Sequence, residues 1–296
     1  MKRIALILSA ALLSVHVSQA QTGLKVHISA DLEGVAGTVT REQTGQGGFE
    51  YQKAREWMTR EVLAAIEGAR AAGATEILLA DSHGNGQNLL LDMIPSGIEL
   101  IRSWPRPLGM MEGIDESFDA VLFIGYHTSS SNAAGVFAHT VTGAFTDVSL
   151  NGVSVTEAAF NAAIAGHFGV PAVMISGDDA VIEEARSILG ELEGAVVKHS
   201  YSFNAARTLT PEDARALIRD KAQKGVERRA ALEPYVVETP VRLDLTFRRH
   251  LPAELLSYLP SVERTGSHSV RFVGEDMIVV TKFMEFAATA LSGITE

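Results

Sequence analysis

Four short apolar runs, each ending abruptly in polar residues or glycine, constrain the fold of this chain more than any other feature of its sequence. Their β-branched composition and short length are typical of strands in a parallel sheet that is covered on both faces. The runs cover residues 24–30, 77–80, 120–124 and 172–176. Helical patterns over residues 51–72 and 179–190 follow the first and the last of them. This alternation predicts an α/β fold with a doubly wound, mostly parallel sheet.

The pattern changes towards the C-terminus, where shorter strands and helices predict a second, smaller domain. Asn151-Gly152 predicts the two-residue turn of a hairpin. Thr210-Pro211 predicts the start of a helix, because threonine caps helices and proline fits their first position. We therefore divide the mature chain into an α/β domain over residues 21–198 and an α+β domain over residues 199–296. A role of the second domain in assembly is a hypothesis.

The first twenty residues have the composition of a secretory signal peptide. Lys2 and Arg3 precede an apolar run over residues 4–15, and the small residues Ser18 and Ala20 offer a cleavage site. A run of that length is too short to cross a bilayer as a helix, so we expect no membrane anchor. We predict cleavage after about residue 20 and a periplasmic or secreted protein.

Two features of the composition exclude classes of site and partner. The chain contains no cysteine, which rules out disulfides, thiolate metal sites and a lipid anchor on an N-terminal cysteine. Its formal net charge is −11 at pH 7, and this charge repels phosphate backbones and anionic lipid surfaces. We therefore expect no nucleic acid partner.

Residues with metal-binding chemistry follow the predicted strands directly. Asp31 and Glu33 follow the first strand, His83 the second and His127 the third. Ligands of open α/β sheets bind beyond the carboxyl ends of the strands, so these side chains are expected to converge. Paired carboxylates with imidazoles form the oxygen and nitrogen ligand set that suits zinc. The number of potential ligands exceeds what one catalytic zinc ordinarily takes, which favours two metal ions that share a carboxylate.

Each of these residues also has an ordinary structural interpretation. An aspartate after a strand often caps a helix, and we assign that role to Asp178 and Asp179 after the fourth strand. A single histidine is often a hydrogen-bonded structural residue, and Glu157 in a first helical turn simply favours the helix dipole. The sequence contains neither a serine-nucleophile elbow nor a Walker loop. The four residues argue for metal jointly, whereas Glu157 is not singled out by sequence alone.

A set of short motifs in a fixed order extends over about residues 24–285. The set comprises Ser29-Ala30-Asp31-Leu32-Glu33-Gly34, Asp81-Ser82-His83-Gly84, Met111-Glu112-Gly113, Gly125-Tyr126-His127, Gly135-Val136-Phe137-Ala138-His139-Thr140, Asn151-Gly152 with Glu157, and Gly177-Asp178-Asp179. In order and spacing this set resembles the DppA-type D-aminopeptidase family of zinc metallopeptidases. The resemblance implies two zinc ions per subunit, with Asp31 as the bridging carboxylate. The implied ligands are Asp31, Glu33, His83, His127 and Glu157.

The resemblance also implies an activity and an assembly. His139 matches the family's catalytic histidine, and the family's substrates are short peptides with a free amino end, often D-alanine peptides. A ring of ten subunits is implied in the same way. We therefore predict a dinuclear zinc aminopeptidase, in which Asp178 or Glu112 is the candidate to hold the substrate's amino group. A dinuclear metal-dependent phosphatase or amidase, and an exported protein that binds metal or peptide without turnover, are the alternatives.

Overall fold

Two β-sheets organise the protein, whose structure is a computed structural model that describes residues 23–291. The predicted signal peptide lies outside the described residues. The strands are β1 (Leu24–Ala30), β2 (Ala74–Asp81), β3 (Glu99–Ile101), β4 (Ala120–Tyr126), β5 (Phe145–Leu150), β6 (Val153–Ser154), β7 (Ala172–Asp178), β8 (Glu193–Ser202), β9 (Ala205–Thr208), β10 (Val241–Phe247), β11 (Val262–Arg264) and β12 (Ser269–Gly274). The helices are α1 (Arg41–Thr44), α2 (Tyr51–Ala71), α3 (Glu157–His167), α4 (Asp179–Leu189), α5 (Pro211–Glu227), α6 (His250–Leu256) and α7 (Met277–Leu291).

The first sheet has the strand order β3-β2-β1-β4-β7-β8-β9. All neighbouring strands in it are parallel except the antiparallel pair β8 and β9. The chain moves outward from β1 through β2 to β3, then returns to place β4 on the other side of β1. The carboxyl ends of β1 and β4 therefore flank the point where the strand order reverses, which is the place where such sheets bind ligands.

Helices cover both faces of this sheet, as the continuous apolar runs predict. On β4, Val121 and Phe123 belong to one apolar core, and Leu122 and Ile124 belong to the other. The core that contains Val121 and Phe123 includes residues of α3, α4 and α7, and the core that contains Leu122 and Ile124 includes residues of α2 and α5. A strand that buries successive residues on opposite faces needs apolar residues throughout. The prediction of a doubly wound, mostly parallel sheet is confirmed.

The second sheet is antiparallel, with the strand order β11-β12-β10-β5-β6. Asn151 and Gly152 form the turn between β5 and β6 with φ angles of 49° and 89°, which confirms the predicted hairpin. The predicted domain boundary after residue 198 falls within β8, a strand of the first sheet. Because β5 and β6 precede that boundary and pair with β10 after it, the boundary does not coincide with the division between the sheets.

Helix starts follow the sequence signals closely. The Thr210 side chain accepts a hydrogen bond from Asp213 N, and proline is the first residue of α5. Asp178 caps α4 by accepting from Val181 N. Both caps satisfy backbone N–H groups that have no partner within the helix. Among residues 23–291, no helix is both long enough and apolar enough to span a bilayer.

Candidate metal centre

The predicted metal ligands lie where strands of the first sheet end and where α3 begins. Asp31 and Glu33 follow β1, His83 follows β2, and His127 follows β4. Glu157 is the first residue of α3. All five residues are buried. The structure therefore brings together every residue that was predicted to bind metal, at the reversal point of the sheet.

Asp31, Glu33 and His83 form the first of two ligand groups. His83 Nδ1 lies 2.8 Å from Glu33 Oε2 and 3.2 Å from Asp31 Oδ1. The other ring nitrogen, Nε2, lies 2.9 Å from the carbonyl oxygen of Thr44. A carbonyl only accepts hydrogen bonds, so Nε2 carries a proton. In the neutral ring, the Nδ1 lone pair then points at two carboxylates.

His127, His139 and Glu157 form the second group. His127 Nε2 lies 3.3 Å from Asp31 Oδ2 and 3.4 Å from Glu157 Oε1. His127 Nδ1 donates to the carbonyl oxygen of Thr128 at 3.0 Å. The arrangement repeats that of His83, because the nitrogen that faces the carboxylates is again the one without a backbone partner.

His139, the predicted catalytic histidine, stacks on His127 with a ring-centroid distance of 3.9 Å. Its Nδ1 lies 2.6 Å from the carbonyl oxygen of Phe137, and its Nε2 lies 3.8 Å from Glu157 Oε1. Its side chain is 24% exposed, whereas that of His127 is 1% exposed. His139 is therefore the histidine of this group that solvent or a substrate reaches.

Asp31 connects the two groups. Its Oδ1 faces His83 and its Oδ2 faces His127. Oδ1 also accepts a hydrogen bond of 2.8 Å from Leu32 N, which fixes the orientation of the carboxylate. A carboxylate with one oxygen towards each group has the geometry of a shared ligand.

Charges in the centre are strongly coupled. Burial by itself raises the pKa of Asp31, but His127 and His83 outweigh burial and hold that pKa well below its usual range. Burial likewise opposes charging of both histidines, yet the carboxylates raise their pKa values well above the usual range. The centre therefore attracts positive charge, which protons or metal ions can supply.

The residues present fit zinc. His127 Nε2 is fully buried and has no hydrogen-bond partner among the described residues, and the carboxylate oxygens that face it are 3.3 and 3.4 Å away. Ligand atoms in a tetrahedral zinc site lie about 3.4 Å apart, given zinc–ligand distances near 2.1 Å. Histidine nitrogens and carboxylate oxygens are the usual ligands of catalytic zinc. The second nitrogen of a ligating histidine is usually hydrogen-bonded, often to a backbone carbonyl, as it is here.

Lys198 holds the loop that carries Asp31 and Glu33, and sequence reasoning missed it. The side chain is 1% exposed. Its Nζ donates to the carbonyl oxygens of Glu33, Val35 and Thr38, with distances of 3.2 Å to Val35 and 2.7 Å to Thr38. Burial lowers the pKa of Lys198 to about 8, against the nearby carboxylates. The sequence feature that could have indicated this role is a lysine within the apolar pattern of β8.

Glycines allow the ends of β1 and β4 to approach each other. A Cβ atom at position 34 would lie 2.0 Å from Tyr126 O, and one at position 125 would lie 2.3 Å from Asp31 O. Gly125 also has a φ angle of +73°, a region that side chains rarely adopt. These contacts bring His127 beside Asp31.

A cavity of about 440 Å³ opens over both ligand groups. Trp104, Phe160 and Met284 supply apolar wall area, and Asn161 and Glu285 supply polar groups. Asn161 donates to Tyr126 Oη at 2.9 Å. The residues from α7 show that the C-terminal part of the chain completes the cavity. A volume of this size suits a small ligand.

The two residues proposed from sequence to hold a substrate's amino group do not line this cavity. Asp178 accepts hydrogen bonds of 2.8 Å from Val136 N and Val181 N. Glu112 accepts a hydrogen bond of 2.8 Å from Leu108 N. Both carboxylates organise backbone and neither lines the cavity, so the structure gives that hypothesis no support.

Comparison with known proteins gives a consistent result. The chain matches the family model of D-aminopeptidases, peptidase M55, over residues 24–286. It is 30% identical over 256 residues to a D-aminopeptidase of Bacillus subtilis (strain 168), covering 86% of this chain and 93% of that protein. It also superposes on a solved structure, the Zn-dependent D-aminopeptidase DppA from Bacillus subtilis, a self-compartmentalizing protease. That match has a TM-score of 0.89 and 28% identity, and it covers 92% of this chain and 100% of the other.

Proposed function

Because the chain belongs to the D-aminopeptidase family, peptidase M55, it is a zinc metallo-aminopeptidase, and we propose that it uses two zinc ions per subunit to remove D-amino acids, D-alanine above all, from the amino ends of short peptides. The observation that carries the two-ion proposal is the position of Asp31 between two buried ligand groups.

Two ions follow from the number and placement of the ligands. Asp31, Glu33 and His83 would hold one ion, and His127 with Glu157 would hold the other, with Asp31 shared between them. One catalytic zinc ordinarily takes three protein ligands. These five residues therefore exceed the needs of a single ion.

Bound zinc supplies a polarised substrate carbonyl and a water of lowered pKa. We assign proton movement to His139, whose Nδ1–H is held by the Phe137 carbonyl while Nε2 remains towards the cavity. In this role Nε2 accepts a proton from the attacking water and later gives it to the leaving amine. An imidazole performs both steps near neutral pH. Trp104, Phe160 and Met284 form an apolar wall of the cavity.

Assembly and location form a further part of the proposal. A solved relative is a self-compartmentalizing protease, and we propose a homo-oligomer, with ten subunits as the specific expectation. Exposed aromatic residues such as Phe49, Tyr201 and Phe203 offer surfaces for such contacts. We also propose export by residues 1–20. Light scattering tests the subunit number, and N-terminal sequencing of the protein from its host tests the cleavage.

The activity is tested with D-alanine and L-alanine p-nitroanilides and dipeptides, using protein as purified, after chelation and after zinc is restored. We expect D-residue release that disappears on chelation and returns with about two zinc ions per chain. His139→Gln is expected to retain both ions and lose roughly a hundredfold or more in kcat. Hydrolysis of p-nitrophenyl phosphate without peptide cleavage would replace the proposal with a phosphatase, and metal binding without any turnover would replace it with a binding protein.

A further inference from the structure

Glu285 on α7 is a cavity carboxylate that the metal centre does not use. Four carboxylates line the 440 Å³ cavity, namely Asp31, Glu33, Glu157 and Glu285. The first three belong to the two ligand groups. Glu285 belongs to neither, and it reaches the cavity from the helix that closes the C-terminal part of the fold.

Glu285 has no direct polar partner within the part of the chain that the structure describes, and Arg106 acts on its charge from a longer distance. No hydrogen bond or ion pair within 4.0 Å joins its carboxylate to any residue in 23–291. Arg106 donates from its Nε and one terminal nitrogen to the carbonyl oxygens of Ser103 and Asp81, both at 2.6 Å, and its other terminal nitrogen is buried without a hydrogen-bond partner among the described residues. Arg106 also stacks on Trp104, 4.1 Å from the ring centre.

The backbone leaves room for this carboxylate at a defined place. Gly109, in a 3₁₀ turn over Gly109–Met111, faces Glu285, and a Cβ atom at position 109 would lie 2.6 Å from Glu285 Oε1. Burial raises the pKa of Glu285 to about 7, Arg106 opposes that rise and Glu112 adds to it. A half-buried carboxylate without a partner is costly, and a cationic group from a ligand removes that cost.

We propose that Glu285 binds the α-ammonium group of the substrate and so limits the enzyme to peptides with a free amino end. The proposal rests on the proposed aminopeptidase function, since the ammonium group is the positive charge that such a substrate brings into the cavity. The ammonium group lies against Glu285, and the carbonyl of the same residue lies towards the ligand groups.

A second cavity supports this position for the amino end. It has a volume of about 460 Å³ and shares Glu285 and Thr289 with the first cavity, and it contains none of the ligand-group residues. Glu285 therefore stands at the boundary between the metal-lined space and the space beyond it.

The test compares two hydroxamates that differ only in the amino group, D-alanine hydroxamate and propionohydroxamate. Both bind zinc, so calorimetry with the zinc-loaded protein measures the contribution of the ammonium group without turnover. Glu285→Gln is expected to weaken binding of the alanine compound roughly ten- to hundredfold. Binding of propionohydroxamate should stay within about twofold, because the variant removes a charge pair that this compound never makes.

Two further variants make the comparison decisive. Glu285→Asp keeps the charge at a shorter reach and is expected to lose less affinity than Glu285→Gln, which also covers the case that the glutamine variant folds poorly. Glu183→Gln makes the same charge change on the exposed face of α4 and should leave both affinities unchanged.

Two results would overturn the inference: equal weakening of both hydroxamates, or unchanged binding of the alanine compound in Glu285→Gln. In either case, hydrolysis of D-alanine p-nitroanilide by the wild type would still support the proposed function. Conversely, a protein that shows no turnover but binds D-alanine hydroxamate more tightly than propionohydroxamate, in a way that depends on Glu285, would support the role of Glu285 and contradict the proposed function.

Discussion

Each histidine of the candidate metal centre is fixed by the ring nitrogen that does not face the carboxylates. That nitrogen contacts a backbone carbonyl in every case, from Thr44 for His83, Thr128 for His127 and Phe137 for His139. The carbonyl sets the tautomer and the ring orientation before any metal arrives. Glutamine or asparagine in place of one of these histidines would stay polar but could not contact the carbonyl and face the carboxylates at the same time. The backbone carbonyls of these loops therefore help to orient the side chains of the centre.

A different buried histidine should control the stability of the fold towards acid. Burial lowers the pKa of His27 from 6.5 to about 4, against the hydrogen bond that its Nε2 makes with the Glu112 carbonyl. Between these two values the unfolded chain binds the proton and the folded chain does not, so stability falls as the pH falls. We expect this residue to account for a loss of about 3 kcal/mol in the free energy of unfolding between pH 6.5 and pH 4.

The measurement is urea unfolding of wild type and His27→Gln across this pH range. The glutamine cannot titrate but can still donate to the Glu112 carbonyl, so the difference between the two pH profiles isolates His27. His167→Gln, at the exposed end of α3, is the matched control and should leave the profile unchanged. Parallel profiles for wild type and His27→Gln would show that His27 does not carry the acid sensitivity.

Site residues were predictable where they follow a strand. Asp31, His83 and His127 come directly after β1, β2 and β4, and parallel strands bring their carboxyl ends together. Lys198 and Glu285 carry no such marker, because their roles depend on which loop or cavity a distant part of the chain reaches. Lys198 contacts a loop more than 150 residues before it in sequence, a contact that no local pattern indicates.

At the scale of elements, the metal centre depends on how closely β1 and β4 approach at their carboxyl ends. Gly125→Ala should disrupt this approach twice, through its φ angle of +73° and through a Cβ atom 2.3 Å from Asp31 O. We expect a loss of about 3 to 5 kcal/mol in unfolding free energy, and weaker zinc binding because Asp31 is displaced.

Gly169→Ala is the control that separates the two causes. Gly169 has a φ angle of +75°, and a Cβ atom there would meet nothing within 4 Å. This variant should therefore cost only the backbone strain, roughly 1 to 2 kcal/mol, and should bind zinc as the wild type does. Denaturant unfolding and zinc titration measure both effects. Equal losses in the two variants would mean that the contact between β1 and β4 is not tight.

The longer elements were predictable from periodicity and caps, and the shorter ones were not. The helix predicted over residues 51–72 is α2, and Thr210-Pro211 begins α5 as expected. The strands β3 and β11 have three residues each, too few to show a period. β9 belongs to the first sheet only because β8 pairs with it, which is a tertiary cause.

For the whole molecule, metal content and thermal stability should change together. The centre places three buried carboxylates against two buried histidines, and zinc binds only the arrangement that the folded state provides. Zinc at about a thousand times its dissociation constant adds roughly 4 kcal/mol to stability. We expect chelation to lower the melting temperature by on the order of 10 °C for a chain of this size.

Asp31→Asn is the control for the chelation experiment, because Asp31 faces both ligand groups. Its melting temperature should respond much less to the chelator. Calorimetry with and without added zinc measures the difference. A wild-type protein that loses its metal with no change in melting temperature would contradict the view that metal binding and folding are coupled.

The relation between the two sheets was the least predictable part of the fold. The sequence indicates where the composition changes, near residue 198, but strand pairing follows the hydrogen bonds that the hairpin of β5 and β6 makes with β10. That pairing joins residues between 93 and 102 positions apart in the sequence, from Leu150 with Leu243 to Phe145 with Phe247. A single position in the sequence therefore cannot separate the two sheets, because β5 and β6 precede residue 198 and belong to the same sheet as β10.

The position of α7 sets an order of events during synthesis. A ribosome makes the chain from its N-terminus, so the strands and loops that carry the ligand groups emerge before Met277–Leu291. The chain that has emerged by then contains the side chains predicted to bind metal, whereas one wall of the cavity has not yet been made. If Glu285 binds the substrate as we propose, a chain that ends before α7 lacks the group that holds the peptide's amino end, so activity requires synthesis of nearly the whole chain.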